Sequence, residues 1–153
     1  MYTAAVLVDG QRNLLQIALS ELLDLEAEGF LFQTPKGDAL PHHLTINMGE
    51  FDEVLNCRSM LGMPVELVVD GFWYDRDLGV CAARVSRATC CIVGDERQAD
   101  YYESVKTVNE SPHITMCLKP GVKPFLSNKL NWAGPGLMLP EPLKLQAKIE
   151  VCE

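Results

Sequence analysis

The chain has three histidines and places two of them in the same short pattern. His43 and Thr45 fall in PHHLTINMG, residues 41–49, and His113 and Thr115 fall in SPHITMCL, residues 111–118. Both stretches are apolar and strand-like, and in a strand positions i and i+2 point to one face. Each motif therefore presents an imidazole beside a hydroxyl. If the two strands lie side by side or face each other, two imidazoles and two hydroxyls converge on one phosphate-sized space.

Such a set suits cleavage of a phosphodiester. The reaction needs a base for the proton of the attacking oxygen, an acid for the leaving oxygen, and donors for the nonbridging oxygens. Histidine, with an unperturbed pKa of roughly 6.5, can be acid or base near neutral pH. Threonine donates without adding charge, so neither a metal ion nor a cofactor is expected. A single His-x-Thr in a strand ordinarily means a packed histidine and a hydroxyl bonded to the backbone. Two of them, each with a proline within two residues upstream (Pro41 and Pro112), read as a paired site. His42, on the opposite face from His43 in a regular strand, reads as structural.

The elements that must position these groups follow from hydrophobic period and turn residues. YTAAVLV near the start is a buried strand, and the leucine-rich QRNLLQIALSELLDLEAEG is an amphipathic helix with Gly29 as its stop. FLFQT resumes strand character, PKGDALP is a loop, HHLTINM a strand, and GEFDEVLNCRSMLGM a short helix ended near Pro64. PVELVVDGFWYDRDLGVCAARVSRATCCIVG reads as two or three antiparallel strands, with DRDLG as the first turn. DERQADYYESVKTVNES is helix or loop. PHITMCL is a strand, and residues 119–142, with five of the nine prolines, form an ordered irregular excursion of the kind that makes a lid or binding surface. LKLQAKIEVC closes the chain as a strand.

The bulk properties limit what this machinery acts on. A chain of 153 residues, 48% hydrophobic and 22% charged with mean hydropathy +0.04, reads as one domain, residues 1–153. No apolar run approaches the roughly 20 residues of a membrane span, and MYTAAVLVDGQ lacks the basic start of a signal peptide, so a cytoplasmic protein is expected. The six cysteines (Cys57, Cys81, Cys90, Cys91, Cys117 and Cys152) read as buried thiols, since no C-x-x-C pair supports a zinc site. The net charge is −8, with nine acidic residues against three basic in the first 60, which argues against long nucleic acid. Between Lys119 and Lys148, five lysines face a single acid, Glu141, a patch large enough for a few phosphates.

Two His-x-Thr motifs at this separation define the 2H phosphoesterase superfamily, which includes RNA phosphoesterases and the cyclic phosphodiesterase domains of some RNA ligases. HHLTINMG, then SPHITMCL followed by GVKPFLSNKLNW, resembles the phage proteins that degrade cyclic oligonucleotides and so blunt the cyclic-oligonucleotide-based anti-phage signalling system (CBASS). The resemblance runs through the order of elements along nearly the whole chain. It implies a bilobal α+β fold, with two antiparallel sheets forming a concave cleft, flanking helices, and one His-x-Thr on each lobe. It also implies metal-independent cleavage of 3′–5′ linked cyclic di- and trinucleotides in the cytoplasm of a bacterial host. His43 and His113 would be the acid–base pair, with Thr45 and Thr115 holding the phosphate. Ser127, Asn128 and Trp132 match a downstream Ser-Asn…Trp pattern and read as lid structure first, substrate contact second.

Other candidates are open between two roles. Trp73, in DGFWYD, could stack on a base or fill the core. Tyr2 could reach the cleft or pack, and Glu141 could accept from a base amino group or pair with a lysine. At the level of function, RNA end processing through a 2′,3′-cyclic phosphate would use the same site. A sponge that sequesters a cyclic nucleotide uncut is the main alternative to an enzyme, and it would not need both complete motifs.

Overall fold

The computed structural model describes residues 1–153 as an α+β fold, mostly a single antiparallel sheet of seven strands with few helices. The strands are β1 (Tyr2–Leu7), β2 (His43–Met48), β3 (Pro64–Asp75), β4 (Val80–Ile92), β5 (Tyr101–Ser104), β6 (His113–Leu118) and β7 (Leu137–Cys152). Their order is β3-β7-β1-β2-β6-β4-β5, and β3 pairs with β4 as well. That extra pairing closes β3, β7, β1, β2, β6 and β4 into a ring, to which β5 is appended. Long β4 makes this possible by splitting one edge between two partners, β6 along Val80–Arg84 and β5 along Thr89–Ile92. Hydrogen bonding thus runs through all seven strands, where the resemblance implied two sheets.

The β3–β4 hairpin forms where the sequence marks it. Asp75 accepts the backbone N–H groups of Asp77 and Leu78, and Gly79 takes the positive φ of 75° that closes the turn. One helix, α1 (Gln11–Ser20), packs Leu15 and Leu19 into the core, each burial worth about 2 kcal/mol.

Helix content is lower than the sequence pattern predicts, for local reasons. The helix expected to reach Gly29 ends at Ser20. Asp24 then accepts the Ala27 N–H and starts a separate 3₁₀ turn, Glu26–Glu28, which Gly29 terminates. The helix expected over residues 49–63 shrinks to a 3₁₀ turn, Arg58–Met60. Asp52 holds the Val54 and Leu55 amides, and Asn56 exchanges two bonds with the Lys106 backbone, at 2.8 and 2.9 Å, which pulls the segment out of helical register. FLFQT makes only isolated bridges, Leu31 with Leu118 and Gln33 with Ala39. The segment left between helix and loop contains β5.

The proline-rich excursion is shorter than expected because β7 begins at Leu137. Pro140 and Pro142 lie in a break of the β3–β7 register, between the pairs Gly71↔Met138 and Val69↔Leu143, where a missing N–H costs no ladder bond. No helix is long and apolar enough to cross a membrane. All six cysteines are free; Cys81, Cys90 and Cys117 are buried as expected, but Cys91 and Cys152 are half-buried and Cys57, in the loop before the Arg58–Met60 turn, is exposed.

Alternation along the strands divides the ring into two faces. Leu44, Ile46, Ile114 and Met116 enter the main core together with Leu145 and Ile149. A smaller cluster of Leu40, Trp73, Val80, Ala82, Leu118 and Leu130 secures the segment after β6. His43, Thr45, His113 and Thr115, at the alternate positions, are left for the opposite face.

Candidate active site

Antiparallel β2 and β6 meet at one ladder pair, Leu44↔Ile114. That register sets His43 opposite Thr115 and Thr45 opposite His113, so the imidazoles take diagonal corners of a square. All four side chains line one cleft of about 740 Å³. Tyr2 lines it too, its ring 4.8 Å from that of His43.

The two halves of the square are built differently. On β2, His43 Nε2 lies 3.1 Å from the Thr45 hydroxyl, and its Nδ1 lies 3.0 Å from Nδ1 of His42. A neutral His43 whose Nδ1–H donates to His42 keeps an Nε2 lone pair that Thr45 can reach. Burial, then the nearby His42 and His113, press the His43 pKa down to about 4. At neutral pH it is an uncharged base.

On β6, His113 Nδ1 lies 2.7 Å from the Ser111 carbonyl, an acceptor only, so Nδ1 carries a proton. Its Nε2 faces the Ser127 hydroxyl at 2.8 Å. Ser127 also receives the Thr115 hydroxyl at 3.2 Å and can donate to the Pro124 carbonyl at 2.8 Å. One hydroxyl proton cannot serve both His113 and Pro124. With neutral His113 the proton goes to Nε2 and the Pro124 carbonyl loses it; with imidazolium, Nε2–H donates to Ser127, Ser127 donates to Pro124, and every group is paired. The hydrogen bonds therefore favour the charged form. Burial opposes them and lowers the His113 pKa, while the Ser111 bond acts upward.

Packing fixes the second imidazole. The Trp132 ring stacks on it at 5.1 Å, tilted 26°, and Trp132 Nε1–H donates to the Ser127 carbonyl at 3.2 Å. Trp73 backs Trp132 at 5.6 Å, donates to the Gly134 carbonyl at 3.0 Å, and lies under the guanidinium of Arg84, which Asp70 pairs. Trp73 is thus a buried support. Neither Trp73 nor Trp132 lines the cleft, and Trp132 packs against His113.

Glu141 is exposed in the register break of β7 and does not line the cleft. None of the five lysines from Lys119 to Lys148 lines it either; Lys119 bonds the Arg76 carbonyl, and Lys144 and Lys148 are exposed on β7. The cleft cation is Arg12 of α1, whose Nε donates to the Pro41 carbonyl at 2.9 Å. Asp38 and Glu153 oppose it. The expected positive patch is therefore elsewhere: Lys148 shares a face with His43, since both pair with Val6, but β7 lies two strands away from β2.

Sequence reasoning also misplaced His42. The alternate-face rule holds inside a strand, but β2 begins at His43, so His42 turns toward its neighbour and lines the cleft. The adjacency of the two histidines was the available signal. Arg12 and Phe125, which lines the cleft from the segment after β6, carried no signal beyond residue type. Comparison of the chain with protein-family models and with curated proteins finds no match.

Proposed function

We propose that the protein is a metal-independent phosphodiesterase of the 2H type that opens compact 3′–5′ linked cyclic di- and trinucleotides. The observation that carries this reading is the diagonal square of His43, Thr45, His113 and Thr115 on one cleft wall. In this reading the ring of strands corresponds to two lobes, one built on β1 and β2 and the other on β4 and β6, with the cleft where β2 meets β6. The setting is immune evasion, by removal of a cyclic-nucleotide signal in a bacterial cytoplasm.

The asymmetry of the halves supports a division of labour. His43 Nε2 takes the proton of the attacking oxygen, the ribose 2′-hydroxyl beside the scissile phosphate or a water, as that oxygen bonds to phosphorus. The bond from phosphorus to the 5′-oxygen breaks, and His113 Nε2–H protonates the departing oxygen, which takes the place of Ser127 as acceptor. Thr45 and Thr115 donate to the nonbridging oxygens. Ser127 is a positioning residue: it keeps Nε2–H aimed along the cleft wall until the leaving oxygen arrives.

The charge of the cleft favours a compact ligand. One arginine against two carboxylates suits few phosphates, whereas a duplex or long strand draws its affinity from many cations. RNA ends bearing a 2′,3′-cyclic phosphate are the second reading, since a single terminal phosphate meets the same condition.

The test is incubation with 3′–5′ and 2′–5′ linked cyclic di- and trinucleotides and with a 2′,3′-cyclic-phosphate RNA, in EDTA, with products resolved by mass. EDTA-resistant ring opening is expected, and the product ends identify the attacking oxygen. Cleavage of the RNA end alone would make the protein an end-processing enzyme, and tight binding without turnover would make it a sponge.

A further inference from the structure

His42 belongs to neither His-x-Thr motif, yet three successive carbonyls fix its place. The Leu40 carbonyl accepts from Gln16 Nε2 at 3.0 Å, the Pro41 carbonyl from Arg12 Nε at 2.9 Å, and the His42 carbonyl from the Leu7 amide at 2.9 Å. Helix α1 and the end of β1 thus hold the backbone that carries the ring. The imidazole makes one side-chain hydrogen bond, from Nδ1 to Nδ1 of His43 at 3.0 Å. Two Nδ1 atoms at that distance share one proton, so one ring donates and the other accepts. The pair is uneven. Every charged group that bears on His43 is another imidazole, His42 or His113, and after burial they help bring its pKa to about 4. A base that weak holds an abstracted proton poorly. His42 is also lowered, by burial and by Arg12 of α1, but Asp38 of the preceding loop and Glu150 of β7 pull the other way. Of the other titratable groups around the pair, Tyr2 and Cys152 are pushed up by burial and stay uncharged at neutral pH, and Glu153 is a further acid of the cleft.

We infer that His42 is the proton reservoir of the base half: a proton taken up at His43 Nε2 moves the Nδ1 proton of His43 onto His42 Nδ1, and the positive charge comes to rest on His42. This rests on the phosphodiesterase reading, in which His43 accepts the proton of the attacking oxygen. The O–H bond of the attacking group breaks as His43 Nε2–H forms, and His43 Nδ1–H breaks as His42 Nδ1–H forms. His43 ends neutral in its other tautomer. His42, already protonated at Nε2, ends as imidazolium in the field of Asp38 and Glu150. After the product leaves, the Nδ1 proton returns to His43, the Nε2 proton passes to water, and His113 regains its proton from water. His42 touches no reacting atom, so it is a positioning residue that also stores the charge.

Two readouts keep this inference separable from the function on which it rests. Ring-nitrogen NMR of the wild type with isotope-labelled histidine, without substrate, should show His43 protonated at Nδ1 at neutral pH. As the pH falls, the first added proton should rest on His42. A first proton on His43, or a neutral His43 protonated at Nε2, would overturn the reservoir whatever the activity. In ring opening of a 3′–5′ linked cyclic dinucleotide, His42→Gln keeps an acceptor for His43 Nδ1–H but cannot take the proton. Its kcat should fall about 10–100-fold, the usual effect of losing the partner of an imidazole's second nitrogen. The wild-type kcat/KM should climb in two steps, one near pH 4 from His43 and one above it from His42, and the variant should keep only the lower. Wild-type kcat and both steps in His42→Gln would also overturn the reservoir. Absence of ring opening by the wild type, with the NMR order as expected, would leave the proton pair and remove the phosphodiesterase.

Discussion

The two His-x-Thr motifs are nearly identical as strings and different as sites. The first is self-contained, with His43 meeting Thr45 directly and leaning on another titratable ring, His42. The second borrows its surroundings: a carbonyl from Ser111, a hydroxyl from Ser127 and a stacked indole from Trp132. Burial lowers the pKa of both imidazoles; His42 and His113 add to that for His43, whereas the Ser111 carbonyl partly offsets it for His113. Like motifs thus acquire unlike surroundings through their neighbours on Nδ1 and Nε2.

The most drastic way to break the comparison is to remove the imidazoles. His43→Ala and His113→Ala should each lower kcat by roughly 10²–10⁴-fold, the usual contribution of a positioned acid or base. A double variant that still opens the ring would end the proposal.

Acidity separates the halves next. His43 binds its proton less readily folded than unfolded, so the unfolded chain holds more protons from about pH 6.5 down to about pH 4, and stability rises with pH across that window. The difference is worth up to about 3 kcal/mol, present in full above pH 6.5 and lost as the pH falls toward 4. Thermal melts at pH 7 and pH 5 should show this loss, and His43→Gln should reduce it. The same shift requires the kcat/KM profile to rise as the pH passes about 4. Its fall, set by His113, should begin below the ordinary histidine value because burial lowers that pKa as well.

Smaller changes sharpen the difference between the halves. A Cβ on Gly136 would overlap the Trp73 indole, so Gly136→Ala should cost about 1–3 kcal/mol in denaturant melts and disturb the Trp73–Trp132 stack behind His113. Ser127→Ala should lower kcat about tenfold and move the acid limb downward, because imidazolium loses its acceptor. Ser127→Thr should restore part of both. An equal effect of Ser127→Ala on the rising limb would show that the halves are not independent.

The sequence carried the strands more reliably than the helices. Alternation placed β1, β2, β6 and the β3–β4 hairpin, because a two-residue period survives wherever one face is buried. Helical period misled over residues 21–29 and 49–63, where Asp24, Asp52 and Asn56 spend their side chains on backbone amides instead. The square of His43, Thr45, His113 and Thr115 was legible because it lies on strands and obeys their alternation. Its surroundings were not: the contacts of His113 with Ser127 and of Trp73 with Trp132 join residues 14 and 59 positions apart through loops without a period.

The seam between β2 and β6 has a mechanical meaning. Around the ring, β3 holds β4 through ten residue pairs and β7 through eight, while β2 and β6 share a single ladder pair and the Val108 amide bonds the Ile46 carbonyl beside it. Every other joint of the ring has at least five ladder pairs, and the sparse one lies beneath the two histidines. Their separation is set by the fit of Leu44 against Ile114 and is only weakly clamped by backbone, which in the proposed reaction would let the clasp yield as phosphorus changes geometry. The sparsest pairing lies under the proposed reaction centre, and backbone amides along this seam should exchange with deuterium sooner than those of the β3–β4 hairpin.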